Sequence, residues 1–163
     1  NRNFPTPNFR SHSYVLPRNN SPGISKYTRE ISLDSPEAKK LNLALKNCGE
    51  FGGSEPETKS LIDFVEKEKV SVMFSFHNSG RDVMGGKDFL SKKLVKIYAS
   101  KTGYEIFDED EWRKIGQTGT MKDWCDVRGI SFVEVEGSTR YGSDWKIQQP
   151  ALEAVLKFLE EIV

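Results

Sequence analysis

Only two histidines occur in the chain, His12 and His77. His77 closes the apolar run "SVMFSF" at 71–76 and is followed at once by the polar, glycine-containing "NSG". An imidazole mounted at the rim of a sheet suits two tasks, holding a metal ion through one ring nitrogen or moving a proton near neutral pH. The bland alternative is a histidine that hydrogen-bonds backbone at the end of a core strand. One imidazole does not make a metal centre, because zinc sites use three or four protein ligands. His12 lies in "FRSHSYVL" and has Val15, not an acid, three residues on. The cysteines, Cys48 and Cys125, stand in no metal-like spacing and read neither as a zinc knuckle nor as a disulfide framework, although one bridge between them is compatible with the sequence.

The elements that must position His77 follow from local pattern. "VSVMFSF" is rich in β-branched and aromatic residues and reads as a buried strand ending at the histidine. Before it, "SEPETKSLIDFVEKEK" predicts a helix capped near Ser54 or Glu55, with Pro56 in the first turn and Leu61, Ile62, Phe64 and Val65 as its apolar stripe. After it, "KDFLSKKLVKIYASK" at 87–101 returns to helical period, with Phe89, Leu90, Leu94, Ile97 and Tyr98 inward and Gly103 as its stop. "FDEDEW" reads as a solvated loop or helix start. "TGTMKDWCDVRG" reads as a short capped helix, "ISFVEVE" as a strand, and "PALEAVLKFLEEIV" as a closing amphipathic helix. Upstream, the prolines and Gly23 of residues 1–30 predict extended, loop-rich chain. "SPEAKKLNLALKN" at 35–47 predicts a short helix capped by Ser35. Strands alternating with helices make this an α/β chain, read as one domain over 1–163.

Bulk properties remove several function classes. Lysine plus arginine and aspartate plus glutamate balance at 24 each, so no net field draws the chain to nucleic acid. Its apolar runs are too short for a membrane-spanning helix, and no membrane partner is expected. It opens on Asn1 without an initiator methionine or a targeting pattern, which reads either as a processed or truncated product or as a chain whose upstream residues belong elsewhere.

Four stretches, in order, resemble the zinc carboxypeptidase family, the carboxypeptidase A-like metallopeptidases. They are "NRNF" at 1–4, "SEPETKSLIDFVEKEKVSVMFSFHNSG" at 54–80, "GTMKDW" at 119–124 and "GISFVEVEGSTRYG" at 129–142. The resemblance implies an α/β/α domain with a mixed sheet, a zinc cofactor, and hydrolysis of a peptide bond next to a free C-terminal carboxylate. It matches His77 to the family's later zinc ligand, the histidine that follows a strand. The family's His-x-x-Glu pair has no counterpart here and lies upstream of the "NRN" segment. The resemblance therefore implies that residues 1–163 are the C-terminal portion of a catalytic domain, which requires the upstream portion as its partner.

The other roles carry over singly. Asn1 and Arg2 match the pair that grips the substrate carboxylate, a task suited to the planar guanidinium fork. The family's proton-handling glutamate falls on the "ISFVEVE" strand. Glu134 is the expectation counted back from "RYG", and Glu136 is the alternative counted forward from Gly129. Alternate strand residues share a face, so periodicity does not separate them. Lys122, just before "DW", matches the position lining the pocket for the terminal side chain, and a basic residue there implies acidic C-terminal residues. Cell-wall peptides are a second substrate class. Other readings are an aspartoacylase-like hydrolase of N-acyl amino acids and an inactive relative acting as a binding module. The family's mobile tyrosine ahead of "DW" has no match near Ile115, and Asn78 and Ser79 replace the residues usual after the zinc histidine.

Overall fold

A computed structural model describes residues 3–7, 12–15, 44–47, 50–107, 119–139 and 141–162. Its contacts divide the chain into two compact units, Asn1–Lys69 with Asp108–Trp124, and Val70–Phe107 with Cys125–Val163.

In the first unit, strands β1 (His12–Val15) and β2 (Ala44–Asn47) pair antiparallel, His12 opposite Asn47. Both depart from expectation, one in a stretch read as loop and the other at the end of a stretch read as helix. Residues 35–43 of that predicted helix lie outside the described residues. Helix α1 (Pro56–Lys67) forms as its sequence dictates, with Pro56 in the first turn, where a missing amide hydrogen costs nothing. Its N-cap, Glu55, makes no side-chain cap bond. Asn3 acts from a distance instead. The buried Asn3 accepts from the Glu55 amide at 2.9 Å and donates to Phe51 O and Ser54 Oγ, each at 3.0 Å. Within the predicted stripe Val65 is buried, whereas Phe64 faces solvent. Phe4 packs on Trp124, ring centroids 5.5 Å apart, with both side chains fully buried.

The second unit is a four-stranded mixed sheet in the order β3-β6-β4-β5. These are β3 (Val72–Asn78), β4 (Asp82–Gly85), β5 (Glu105–Ile106) and β6 (Ser131–Gly137). β6 runs parallel to β3 and antiparallel to β4, and β4 runs parallel to β5. The fold is α/β, as the sequence implies. The burial order is not. β6 is the central, buried strand, while β3 lies at the edge of the described sheet with its last residues exposed. Apolar composition alone does not distinguish an edge strand from a central one.

Helix α2 (Phe89–Thr102) and helix α4 (Trp145–Ile162) pack together over one sheet face. Val83, Val133 and Val135 from the strands meet Leu94, Val95, Tyr98, Ala151 and Val155 from the helices, with Tyr104 completing this core. Gly85 permits the close approach, because a Cβ there would lie 2.7 Å from Val95 Cγ2. Asp88 caps α2, accepting from the Ser91 amide at 2.9 Å, and also binds Ser131 Oγ at 2.8 Å. Gly103, at φ 69°, closes the helix as expected. Phe89, read as inward, is 84% exposed. α4 begins at Trp145 rather than at Pro150, which lies inside it. The Asp144 carbonyl starts that helix by accepting from the Ile147 and Gln148 amides at 2.8 and 2.9 Å. Helix α3 (Met121–Arg128) is capped by Thr120, whose Oγ1 accepts from the Asp123 amide at 3.1 Å.

Candidate active site

The strand register builds a row of polar side chains at one end of the sheet. His77 on β3 pairs with Glu136 on β6, and Glu136 pairs with Asp82 on β4. In-register partners in a sheet share a face. The three side chains therefore lie side by side, on the face opposite Val83 and Val135. Strands sit about 4.8 Å apart, so His77 and Glu136 are direct neighbours. Glu134 belongs to the next row, beside Ser75 and Met84. That row lies two residues back along the strand, about 6.6 Å away. Both glutamates are half-buried, whereas His77 is exposed. Between the two glutamates, Glu136 is the one the register sets against the imidazole.

The turn after β3 is anchored to the end of β6. The amides of Gly80 and Arg81 donate to Gly137 O at 3.0 and 3.3 Å. A Cβ on Gly80 would strike Glu136 Cβ at 2.9 Å, so the glycine lets the turn close over the glutamate stem. The peptide between Asn78 and Ser79 is cis. Ser75 Oγ lies 2.9 Å from His77 Nε2, which leaves Nδ1 as the ring nitrogen for another task. Metal-binding histidines generally have their second nitrogen held in this way.

Beside His77 opens a cavity of about 220 Å³, lined by Phe76, His77, Asn78, Gly142, Ser143, Asp144, Trp145 and Gln148. The Asp144 carboxylate accepts from Ser138 Oγ at 2.6 Å, from the Ser138 amide, and from Tyr104 Oη at 3.0 Å. Those bonds, from the Ser138 hydroxyl first and then its amide, hold Asp144 below the ordinary aspartate value. Burial first, then the hydrogen bond to Asp144 and the Asp144 charge, raise the Tyr104 hydroxyl, although hydrogen bonds to Gln148 and Ser138 work the other way.

Among the described residues, no three His, Cys, Asp or Glu side chains gather where they could hold one metal ion. His77 fits as one ligand of a set, not as a centre by itself. Asn1 and Arg2 lie outside the described residues, as does Cys48. Cys125 is buried, its Sγ 3.7 Å from Met73 Sδ. Lys122, in the first unit, is only 7% exposed, with Nζ 3.8 Å from Asp123 Oδ1. Sequence reasoning had not found Asp82, Asp144 or Tyr104. Their placement comes from register and from contacts across the fold. The nearest local signal was the Ser-Asp pair preceding α4.

No family model matches the chain, and no curated protein does. Solved structures do. The chain is similar to murein-tripeptide amidase MpaA from Escherichia coli O157, at 19% identity and a TM-score of 0.59, over 96% of this chain and 56% of that one. It is similar to thrombin activatable fibrinolysis inhibitor, at 15% identity and 0.63, over 100% of this chain and 42% of that one. The bovine form of that inhibitor, solved in complex with tick carboxypeptidase inhibitor, gives 16% and 0.60 over 100% and 57%. At such identities the likeness is one of fold, and the fold is carboxypeptidase-like. The chain spans about half the length of these proteins. Among the described residues, no helix is long and apolar enough to cross a membrane.

Proposed function

We propose that residues 1–163 are the C-terminal portion of a zinc carboxypeptidase-type catalytic domain that hydrolyses the peptide bond next to a free C-terminal carboxylate. The observation that carries this reading is the pairing of His77 with Glu136 at one end of two parallel strands in a carboxypeptidase-like fold. His77 would hold zinc through Nδ1, with its ring set by Ser75 and further ligands from outside the described residues. Zinc, when bound, polarises the scissile carbonyl and acidifies water. Glu136, beside the imidazole, accepts the proton of the attacking water and returns it to the leaving amine. Glu134, one row back, is the second candidate for that task.

Asn1 and Arg2 are proposed to clamp the substrate carboxylate, placing cleavage one residue in. Lys122, little exposed and with Nζ 3.8 Å from Asp123 Oδ1, is proposed to line the pocket for an acidic terminal side chain. Cell-wall peptides are a substrate class consistent with the murein-tripeptide amidase among the neighbours.

The test is made on the complete catalytic domain, with zinc content and peptide hydrolysis measured together. His77→Ala should lose both, and Ser75→Ala should weaken zinc about ten- to a hundredfold. A His77→Ala protein with unchanged zinc stoichiometry would overturn the reading.

A further inference from the structure

The cavity beside His77 has two walls. One is the end of β3, Phe76 to Asn78, and the other is Gly142 to Trp145 with Gln148. β3 is fixed by its pairing with β6, so the second wall needs its own anchor. Asp144 supplies several contacts at once. Its carbonyl begins α4, and its carboxylate ties the turn after β6 back to Ser138 and to Tyr104, a buried residue of the core. Gly137 makes room for this arrangement. A Cβ there would lie 2.8 Å from Asp144 Oδ2 and 2.8 Å from Asn78 Oδ1. The carboxylate on one wall and the amide on the other thus close around the same glycine.

We infer that Asp144 is a positioning residue that sets the distance between the two walls of this cavity, and so the fit of the substrate beside His77. Three donors, two from Ser138 and one from Tyr104, already occupy its two carboxylate oxygens. The charge is thereby engaged in holding the turn rather than in meeting a ligand. The lowered pKa of Asp144 agrees with a carboxylate that stays ionised to receive those donors. The link to substrate rests on the hydrolase reading above; the link to the wall does not.

The experiment compares wild type, Asp144→Ala, Asp144→Asn and Tyr104→Phe in the full chain joined to its complete catalytic domain. Acrylamide quenching of Trp145, isolated by difference from Trp145→Phe, reports the wall without any need for activity. Peptide hydrolysis then separates KM from kcat. Asp144→Ala should change the quenching of Trp145, already 56% exposed, and raise KM about tenfold, the worth of one binding contact, with kcat nearly unchanged. Asp144→Asn, which keeps an acceptor for Ser138, should recover most of both effects. If Asp144→Ala fails to fold, Asp144→Asn and Tyr104→Phe carry the test, with smaller changes in the same direction. Altered quenching in an enzyme whose wild type hydrolyses no peptide supports the positioning role and discards the hydrolase reading. Unaltered quenching in all three variants overturns the positioning role, whatever the activity.

Discussion

Replacing Asp88 with alanine should destabilise the strand that carries both candidate glutamates without touching either of them. Asp88 Oδ1 accepts from the Ser91 amide and from Ser131 Oγ, and Oδ2 binds Ser91 Oγ. Ser91 is fully buried, and its Oγ also accepts from the Phe132 amide at 2.8 Å. One carboxylate thus fastens the first turn of α2 to the first two residues of β6. Loss of an N-cap costs about 0.5–2 kcal/mol. Each orphaned hydroxyl bond adds about 0.5–1.5 kcal/mol. Because the contacts form one network and do not add, about 2–3 kcal/mol is the expected total. For a chain of this size that lowers Tm by roughly 5–10 °C. Asp88→Asn keeps the cap and should lose less than half of this.

The effect of pH on that pair has a defined sign. Burial alone would raise the Asp88 carboxyl, but the hydrogen bonds from Ser91 and Ser131 outweigh it and hold it below the ordinary value of 3.8. A carboxylate depressed by folding contributes its full stability above the unfolded value and loses it as pH falls through the folded one. Urea melts of the complete domain should therefore show a wide gap between wild type and Asp88→Ala at pH 7. The gap should narrow as pH drops below about 4. A gap under about 0.5 kcal/mol at neutral pH, the range of an ordinary surface change, would refute the reasoning.

Lys122→Ile should abolish a preference for peptides ending in Glu over those ending in Leu. A charge-assisted contact of about 1.5–3 kcal/mol corresponds to roughly ten- to a hundredfold in selectivity. An unchanged preference, with zinc retained, would remove Lys122 from the pocket. For the C-terminal-portion reading, the outer edge of β3 is the informative feature, since β6 is its one partner among the described residues. The 163-residue chain produced alone should associate or bind a hydrophobic dye, and co-production of the remaining portion should suppress this. A monodisperse, cooperatively melting chain on its own would count against that reading.

Where local chemistry decides an element, the sequence was sufficient. Pro56 at a helix start, Gly103 at a helix end, and the strand read in "ISFVEVE", found at Ser131–Gly137, all formed. β4 and β5, at four and two residues, were missed because strands so short carry little local signal and exist through pairing. Pro150 suggested a helix start, yet the carbonyl of Asp144 begins α4 earlier. The outward faces of Phe64 and Phe89 depend on which neighbours arrive, which periodicity does not encode. The candidate site divides along the same line. The place of His77 near a strand end was legible because an apolar run ends at it. The choice between Glu134 and Glu136 was not, since two residues on one strand face differ only in their cross-strand partner. Asp82 and Asp144 acquire meaning only once β4 lies beside β6 and the turn folds back on Tyr104.

That cross-strand partner is what the decisive measurement addresses. In the zinc-loaded complete domain, kcat on a peptide with a free C-terminal carboxylate is to be compared for wild type, Glu136→Gln and Glu134→Gln. The register predicts that Glu136→Gln keeps its zinc and loses at least about a hundredfold in turnover, the contribution of a positioned proton acceptor. Glu134→Gln should stay within about tenfold of wild type on the same grounds. Full turnover in Glu136→Gln would contradict the account.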